Sequence, residues 1–299
     1  MKGKSFWILL ISLFILGFSG LMLFFAFLMV SEEGGTALFS KEAVAVVEIK
    51  GGIFEPKETL DELNRVYEND DFKVLLLRID SPGGAVSPSQ EIYQAVLRVK
   101  EKKKVIVSMG TVAASGGYYI AAAADKIVAL PGTITGSIGV LMDYTNVEQL
   151  LSFLKVHAEI LKAGKMKDVG SPLRELTPED RAYLQGILDD MHRQFKEAVA
   201  KGRNLPIEEI DKLADGRVFT GEQALKLKLI DELGGQQKAV DLAKEMMGWT
   251  EEPELFYPKK KKPGLLELLA DGQAESRLLK WIYFLREGRA LYWTKGIML

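Results

Sequence analysis

The sequence predicts an α/β fold built on a largely parallel sheet, and three observations carry that reading. Short apolar, β-branched runs recur from about residue 44, each bounded by polar or glycine positions, as buried strands are. Amphipathic stretches separate them. Beyond Thr177 the pattern turns helical. Strand followed by helix, repeated, is the signature of a parallel sheet with helices packed against it.

The predicted strands are "VAVVEI" (44–49), "KVLLLRI" (73–79), "KVIVSM" (104–109), "KIVAL" (126–130) and "HAEILKA" (157–163). Between them lie "KETLDELNRVYEN" from Lys57, "PSQEIYQAVLRVKEK" from Pro88, a small-residue helix from Ser115, and "NVEQLLSFL" from Asn146. In the helical region, Thr177 is a good N-cap, with Pro178 at the first helical position and acids in the first turn to complement the unpaired N–H groups. "TGEQALKLKLIDELGG" and "QKAVDLAKEMMG" follow as shorter helices with glycine stops. The Ser115 region has no second copy, which implies a single catalytic unit.

Upstream, Ser5 to Val30 carries no charge, and at about 1.5 Å per residue a helix of that length exceeds the roughly 30 Å hydrocarbon core. Lys2 and Lys4 precede it and Glu32 and Glu33 follow, so the N-terminus is expected inside and the remainder across the membrane. The run is too long for the apolar core of a cleaved signal, and no A-x-A-like site closes it. The expected organisation is a cytoplasmic N-terminus (1–4), a transmembrane anchor (5–30), a linker (31–42), a folded domain (43–248) and a tail (249–299). In the tail, "PKKKKPG" reads as a solvated linker, and the Leu- and aromatic-rich stretch after it suits an interfacial or partner-binding segment.

Composition narrows the chemistry. Thirty-nine basic against 41 acidic residues leave a net charge of -2, so no global basic field argues for nucleic acid. Cysteine is absent, which removes thiolate metal sites, disulfides and cysteine catalysis. "TVAASGGYYIAAAADKI" (111–127) then sets Ser115 beside two glycines as a candidate nucleophile. The two histidines fit a triad poorly: His157 opens a predicted strand and His192 sits within a long charged helix. The G-x-S-x-G elbow is also missing, since Ala113 holds the first glycine position and five residues separate Met109, the expected strand end, from Ser115.

A neutral lysine can take the proton instead, provided its site draws an amine of ordinary pKa about 10.4 toward 7 or 8. Lys162, Lys165 and Lys167 are the candidates, and spacing does not choose among them. An oxyanion hole needs backbone N–H groups aimed at the developing charge. "IDSPGGAV" (79–86) ends the strongest predicted strand, and Gly83 could supply one donor and Gly116 the other. Taken alone, S-P-G-G is most often a plain turn. No G-K-[ST] follows to make it a phosphate loop.

"RIDSPGGAV", "ASGGYYIAAAADKIVA", "TGSIGV", "KAGKMKDVGSPLRELTPEDR" and "DGRVFTGEQALKLKLIDELGG", in this order over about Ala43 to Met247, closely resemble the bacterial serine-type signal peptide peptidase A family. The resemblance implies a Clp protease/crotonase-like fold of repeated ββα units, a membrane anchor and a Ser-Lys dyad, to which the residue pattern beyond Thr177 adds a helical C-terminal region. It makes Ser115 the nucleophile, Lys167 the general base, Ser137 the residue that orients the lysine, and Gly83 with Gly116 the oxyanion donors. It further implies a ring-shaped or dome-like homo-oligomer whose sites are shared between protomers, no metal or organic cofactor, and remnant signal peptides or other apolar peptides as substrates outside the cytoplasmic membrane. The tail matches none of its motifs. One rival is a crotonase-fold acyl-CoA enzyme, which would need a catalytic carboxylate and a nucleotide pocket. A catalytically inactive scaffold is disfavoured by the joint presence of Ser115, Ser137 and Lys167.

Overall fold

The computed structural model describes residues 17–20, 22, 43–258 and 297–298. The expected anchor falls outside the described residues except for Gly17 to Gly20 and Met22, which are helical. Among the described residues no helix is long and apolar enough to cross a membrane.

The chain alternates β1 (Ala43–Lys50), α1 (Lys57–Glu68), β2 (Phe72–Ser81), α2 (Val86–Lys100), β3 (Lys104–Ala114), α3 (Gly116–Ala121) and β4 (Lys126–Ala129). After β5 (Ile134–Gly136) and β6 (Leu141–Met142) come α4 (Glu148–Phe153), α5 (Pro178–Arg203), α6 (Ile207–Asp211), β7 (Val218–Thr220), α7 (Gly221–Lys226), β8 (Glu232–Leu233), α8 (Gln236–Met247) and β9 (Glu254–Phe256). The main sheet runs β7-β5-β3-β2-β1-β9, with β4 also beside β3 and β8 beside β4. Every pairing is parallel except β5 with β7.

The central strands are hydrophobic on both faces, as a sheet covered on both sides requires. In register, Val46, Leu76 and Ile106 line up across β1, β2 and β3. These residues, with Val44, Val74 and Val128, bury one face against Ala239, Val240, Leu242 and Ala243 of α8. The alternate residues Val47, Leu75, Leu77, Val105 and Val107 point to the opposite face. They are fully buried, as are Leu63 and Val66 of α1 and Ile92 and Val96 of α2 to within about one percent.

Two sequence expectations need correction. "HAEILKA" is not a strand: residues 156–162 form no regular element and are exposed, with Leu161 at 92%. Among the described residues no strand lies alongside to take its N–H groups, and composition alone cannot supply a partner. β3 does not stop at Met109 but continues to Ala114, because β5 pairs with Val112 to Ala114. A register shift against β2 at Asp80 lets the extension rejoin at Ser81↔Ala113. The Asp80 carboxylate accepts the Val112 N–H at 3.1 Å across that irregularity.

The first residues of the expected tail add to the sheet, since β9 pairs with Ala43 to Ala45 and Phe256 stacks on Phe72 at 5.1 Å. A further strand, β10 (Ile297–Met298), pairs antiparallel with β6. The cap read from sequence forms as expected: Thr177 and Asp180 make a reciprocal capping box at the start of α5. Thr220 with Gln223 makes a second such box at α7, but that helix ends at Lys226 rather than at the glycines, because Glu232–Leu233 pairs with β4 as strand β8.

Near its end α5 passes against the end of α3 with no room for a side chain, because a Cβ on Gly202 would stand 1.9 Å from the Ala122 carbonyl oxygen. Gly202→Ala is therefore expected to destabilise the domain by about 1–3 kcal/mol through overpacking, read as a lower urea midpoint at unchanged m-value.

Candidate active site

Ser115 follows directly on the last residue of β3 and precedes the first of α3. Its backbone has φ 55° and ψ -123°, a conformation that L-residues rarely adopt, so the chain reverses from strand to helix at one residue. This is the sharp strand-turn-helix geometry of a nucleophile elbow, contrary to the sequence expectation, reached without the usual first glycine. The turn is held by the Ser115 N–H, which donates to the Gly136 carbonyl at 2.8 Å, and by the Ser115 carbonyl, which accepts from Tyr119 N–H.

The side chain is the anomaly. Ser115 is 4% exposed, and its Oγ is the buried side-chain polar atom that lacks any hydrogen-bond partner among the described residues. Leaving such a group unpaired costs about 1–3 kcal/mol, whereas the buried Tyr118 hydroxyl, three residues further on, is satisfied by donating to the Leu229 carbonyl at 2.8 Å.

The loop after β2 lies directly against this turn. A Cβ on Gly83 would stand 2.7 Å from Ser115 Cβ and 2.8 Å from Gly116 N, and Gly83 has φ +107°, so only glycine fits. The loop is clamped from the other side by Ile53, whose N–H donates to the Gly83 carbonyl (3.0 Å) and whose carbonyl accepts from Ala85 N–H (2.8 Å). The Gly83 N–H is not free, because it donates to the fully buried Ser81 Oγ at 3.1 Å. Gly84 N–H and Gly116 N–H have no acceptor among the described residues. Gly84 N sits 3.3 Å from where a Cβ on Gly116 would be. Ser81 and Gly84 were not singled out from sequence; the doubled glycine was the signal, and it did not say which amide faces the site.

Ser137 leaves β5 as Ser115 leaves β3. The strands pair at Ala114↔Gly136, so the two serines are the residues that follow adjacent strands, and Ser137 has the matching φ of 53°. Its N–H donates to the Arg217 carbonyl at 2.8 Å. The histidines do not join the site: His157 is exposed, and His192 Nε2 lies 3.2 Å from the Ile138 carbonyl oxygen. Among the described residues no cluster of His, Asp and Glu could hold a metal ion.

The three lysines left open by sequence separate cleanly. Lys162 pairs with Asp168 at 2.5 Å and Lys165 with Glu179 at 2.6 Å. Lys167 is exposed, has no ion pair among the described residues, and is not hydrogen-bonded to Ser115. Its loop is tied to the start of α5 by Arg174, which reaches both Asp168 and Asp180. Arg174, then Lys162, hold the Asp168 carboxyl well below the usual carboxylate range. Arg174, with the Thr177 backbone, holds Asp180 at about 2. Because that value is depressed, the contribution of Asp180 to stability is complete above about pH 4 and is lost as pH falls toward 2.

A cavity of about 600 Å³ opens between the first turn of α2 and the face of α5, with Val86, Tyr183, Ile187 and Met191 among its walls. Val86 is two residues beyond Gly84, so the cavity begins where the loop ends.

The model of Peptidase family S49 matches residues 98–250, and that of Clp protease residues 56–135. A candidate protease of Synechocystis sp. is 41% identical over 257 residues, which is 82% of this chain and 92% of that protein. The chain belongs to peptidase family S49. A candidate signal peptide peptidase of Enterococcus faecium is 33% identical over 229 residues, 76% of this chain and less than two thirds (64%) of the relative. A solved structure, a mutant form of a membrane-bound stomatin-specific protease, covers 74% of this chain and all of its own with a TM-score of 0.50 at 20% identity, a likeness of fold alone. As an S49 peptidase with protease-named relatives, the protein is a serine peptidase, and its sheet is of the Clp protease kind.

Since the S49 chain closes Gly83 against Ser115 with no space for a methyl group, Gly83→Ala should lower kcat/KM by about a hundredfold or more while the thermal transition remains cooperative. Fluorogenic peptide cleavage beside a melting curve checks this.

Proposed function

We propose that the chain is a membrane-anchored serine endopeptidase with a Ser115–Lys167 dyad, acting on remnant signal peptides and other apolar peptides outside the cytoplasmic membrane. The single observation that carries the chemistry is the buried, unpartnered Ser115 hydroxyl on its positive-φ turn. A serine in that setting is supplied with everything but a base. Lys167, of the three candidate lysines, is the amine without a counter-ion among the described residues.

In this reading the Lys167 amine takes the Ser115 proton as Oγ attacks a peptide carbonyl, and the lysinium then protonates the departing amine. Water hydrolyses the acyl-enzyme with Lys167 again as base. Ser137, adjacent to Ser115 across the strand pair, orients the amine. Gly116 N–H is one oxyanion donor. For the other we favour Gly84 over Gly83, because the Gly83 amide is already held by Ser81. Within one chain Lys167 is exposed and makes no bond to Ser115, which favours a ring or dome of copies in which one protomer's lysine serves its neighbour's serine.

The apolar run 5–30 serves as the anchor, with the domain beginning near Ala43 and the tail from 249. The name of the Enterococcus relative supports signal peptides as substrates, and the cavity beside α2, walled by Val86, Ile187 and Met191, suits apolar side chains. The tail acts as an internal competitor, a reading supported by the pairing of β10 with β6, close in sequence to Ser137.

The deciding experiment treats the full chain with an active-site acylating inhibitor and maps the adduct by mass spectrometry. The adduct is expected on Ser115, and Ser115→Ala and Lys167→Ala should each lower turnover by about a thousandfold or more with assembly intact. An adduct elsewhere, or turnover in either variant, overturns the dyad. Activity should rise with pH and be indifferent to chelators. Removing residues 265–299 should raise peptide cleavage; no change would leave the tail only an anchoring role.

A further inference from the structure

The reading of Lys167 as base raises a problem in its own sequence, because the next residue is an aspartate. A carboxylate beside an amine favours the ammonium form, and an ammonium cannot accept a proton. The structure contains a specific answer. Asp168 has both oxygens occupied by other cations: Arg174 Nε donates to Oδ2 at 2.9 Å, Arg174 Nη2 to Oδ1 at 3.0 Å, and Lys162 Nζ to Oδ1 at 2.5 Å. The Asp168 side chain is only 8% exposed.

Arg174 is fixed in turn. Its Nη1 donates to Asp180 Oδ2 at 2.5 Å and to the Glu175 carbonyl at 2.9 Å. Asp180 Oδ2 also accepts the Thr177 N–H at 3.0 Å, so the guanidinium is bolted to the capping box of α5. The Tyr144 hydroxyl donates to the Ser171 carbonyl at 2.8 Å and also to the Arg174 carbonyl. Glu148 of α4 accepts the Glu175 N–H at 3.1 Å. The titratable groups along the segment are His157, Glu159, Lys162, Lys165, Lys167, Asp168, Arg174 and Glu175, with Tyr144 and Glu148 before it and Glu179, Asp180 and Arg181 at the start of α5. Glu179 is taken by Lys165.

We infer that Arg174 and Lys162 are positioning residues that sequester the Asp168 carboxylate, so that Lys167 is left without the counter-ion its own neighbour would provide. The inference rests on the Lys167 reading and adds a cause for that lysine's availability. The low protonation range of Asp168 agrees with it, since a carboxylate gripped by two cations stays charged and stays committed to them. A bidentate guanidinium suits this task better than a second ammonium, because its planar fork fixes the carboxylate's orientation as well as its charge.

The test is the pH dependence of kcat/KM for the full-length chain on a fluorogenic peptide. Arg174→Gln releases Asp168 toward Lys167 and should move the ascending limb to higher pH by about one unit or more. Lys162→Gln should move it the same way by less. Asp168→Asn, which removes the carboxylate itself, should leave the limb in place, and Arg174→Gln combined with Asp168→Asn should return it to the wild-type position. A purely structural role for the network predicts instead that Arg174→Gln and Asp168→Asn lower the rate alike with the limb unmoved, and that result overturns the inference. Should Arg174→Gln fail to fold, an unmoved limb in Lys162→Gln overturns it equally. If Lys167→Ala retains turnover the base assignment itself fails. If Lys167→Ala is inactive and the limbs coincide, only the sequestering role falls.

Discussion

The site depends on one close approach, that of the Gly83 backbone to the turn at Ser115. The space between them is too small for a methyl group, and it exists because strands β2 and β3 run parallel and end side by side. Each supporting feature maintains that approach. The register shift at Asp80 lets β3 run on to Ala114, the Gly136 carbonyl holds the Ser115 amide, and Ile53 clamps the glycine loop from behind. The result is a hydroxyl in a buried position with unpaired amides beside it, maintained against the usual rule that buried polar groups find partners. A sheet covered on both faces is stiff enough to hold such an arrangement.

The segment that carries Lys167 is built on different terms. From Leu141 to Ser171 it has little regular structure, and Leu150, Phe153, Leu154 and Leu161 are exposed along it. Its order comes from polar ties: Arg174 to α5, Tyr144 to the Ser171 carbonyl, Lys165 to Glu179. The nucleophile thus sits in the core and the proposed base on an arm, which is the division expected if the arm's apolar side chains are covered by another copy of the chain.

Much of the fold was legible because the signals were local. The strands 44–49, 73–79 and 126–130 lie within observed strands to a residue or so, and the cap at Thr177 forms as its residue type demands. What the sequence hid was pairing. "HAEILKA" has strand composition and no neighbouring strand among the described residues, while Gly110 to Ala114 looks too small to be strand and becomes one by pairing with β5. The same holds at the site. Ser115, Ser137 and the doubled glycine could be found as motifs, but the choice between the Gly83 and Gly84 amides turns on a hydrogen bond from one of them to Ser81, which no spacing encodes.

The central claim is that the Ser115 hydroxyl awaits an amine its own chain does not bring to it. The most direct measurement mixes the two inactive chains, Ser115→Ala and Lys167→Ala, under conditions where protomers assemble together, and reads peptide cleavage. Sites pairing an intact serine with a neighbour's intact lysine should restore activity in the mixture. Mixed assemblies that form fully and remain inactive would contradict the account.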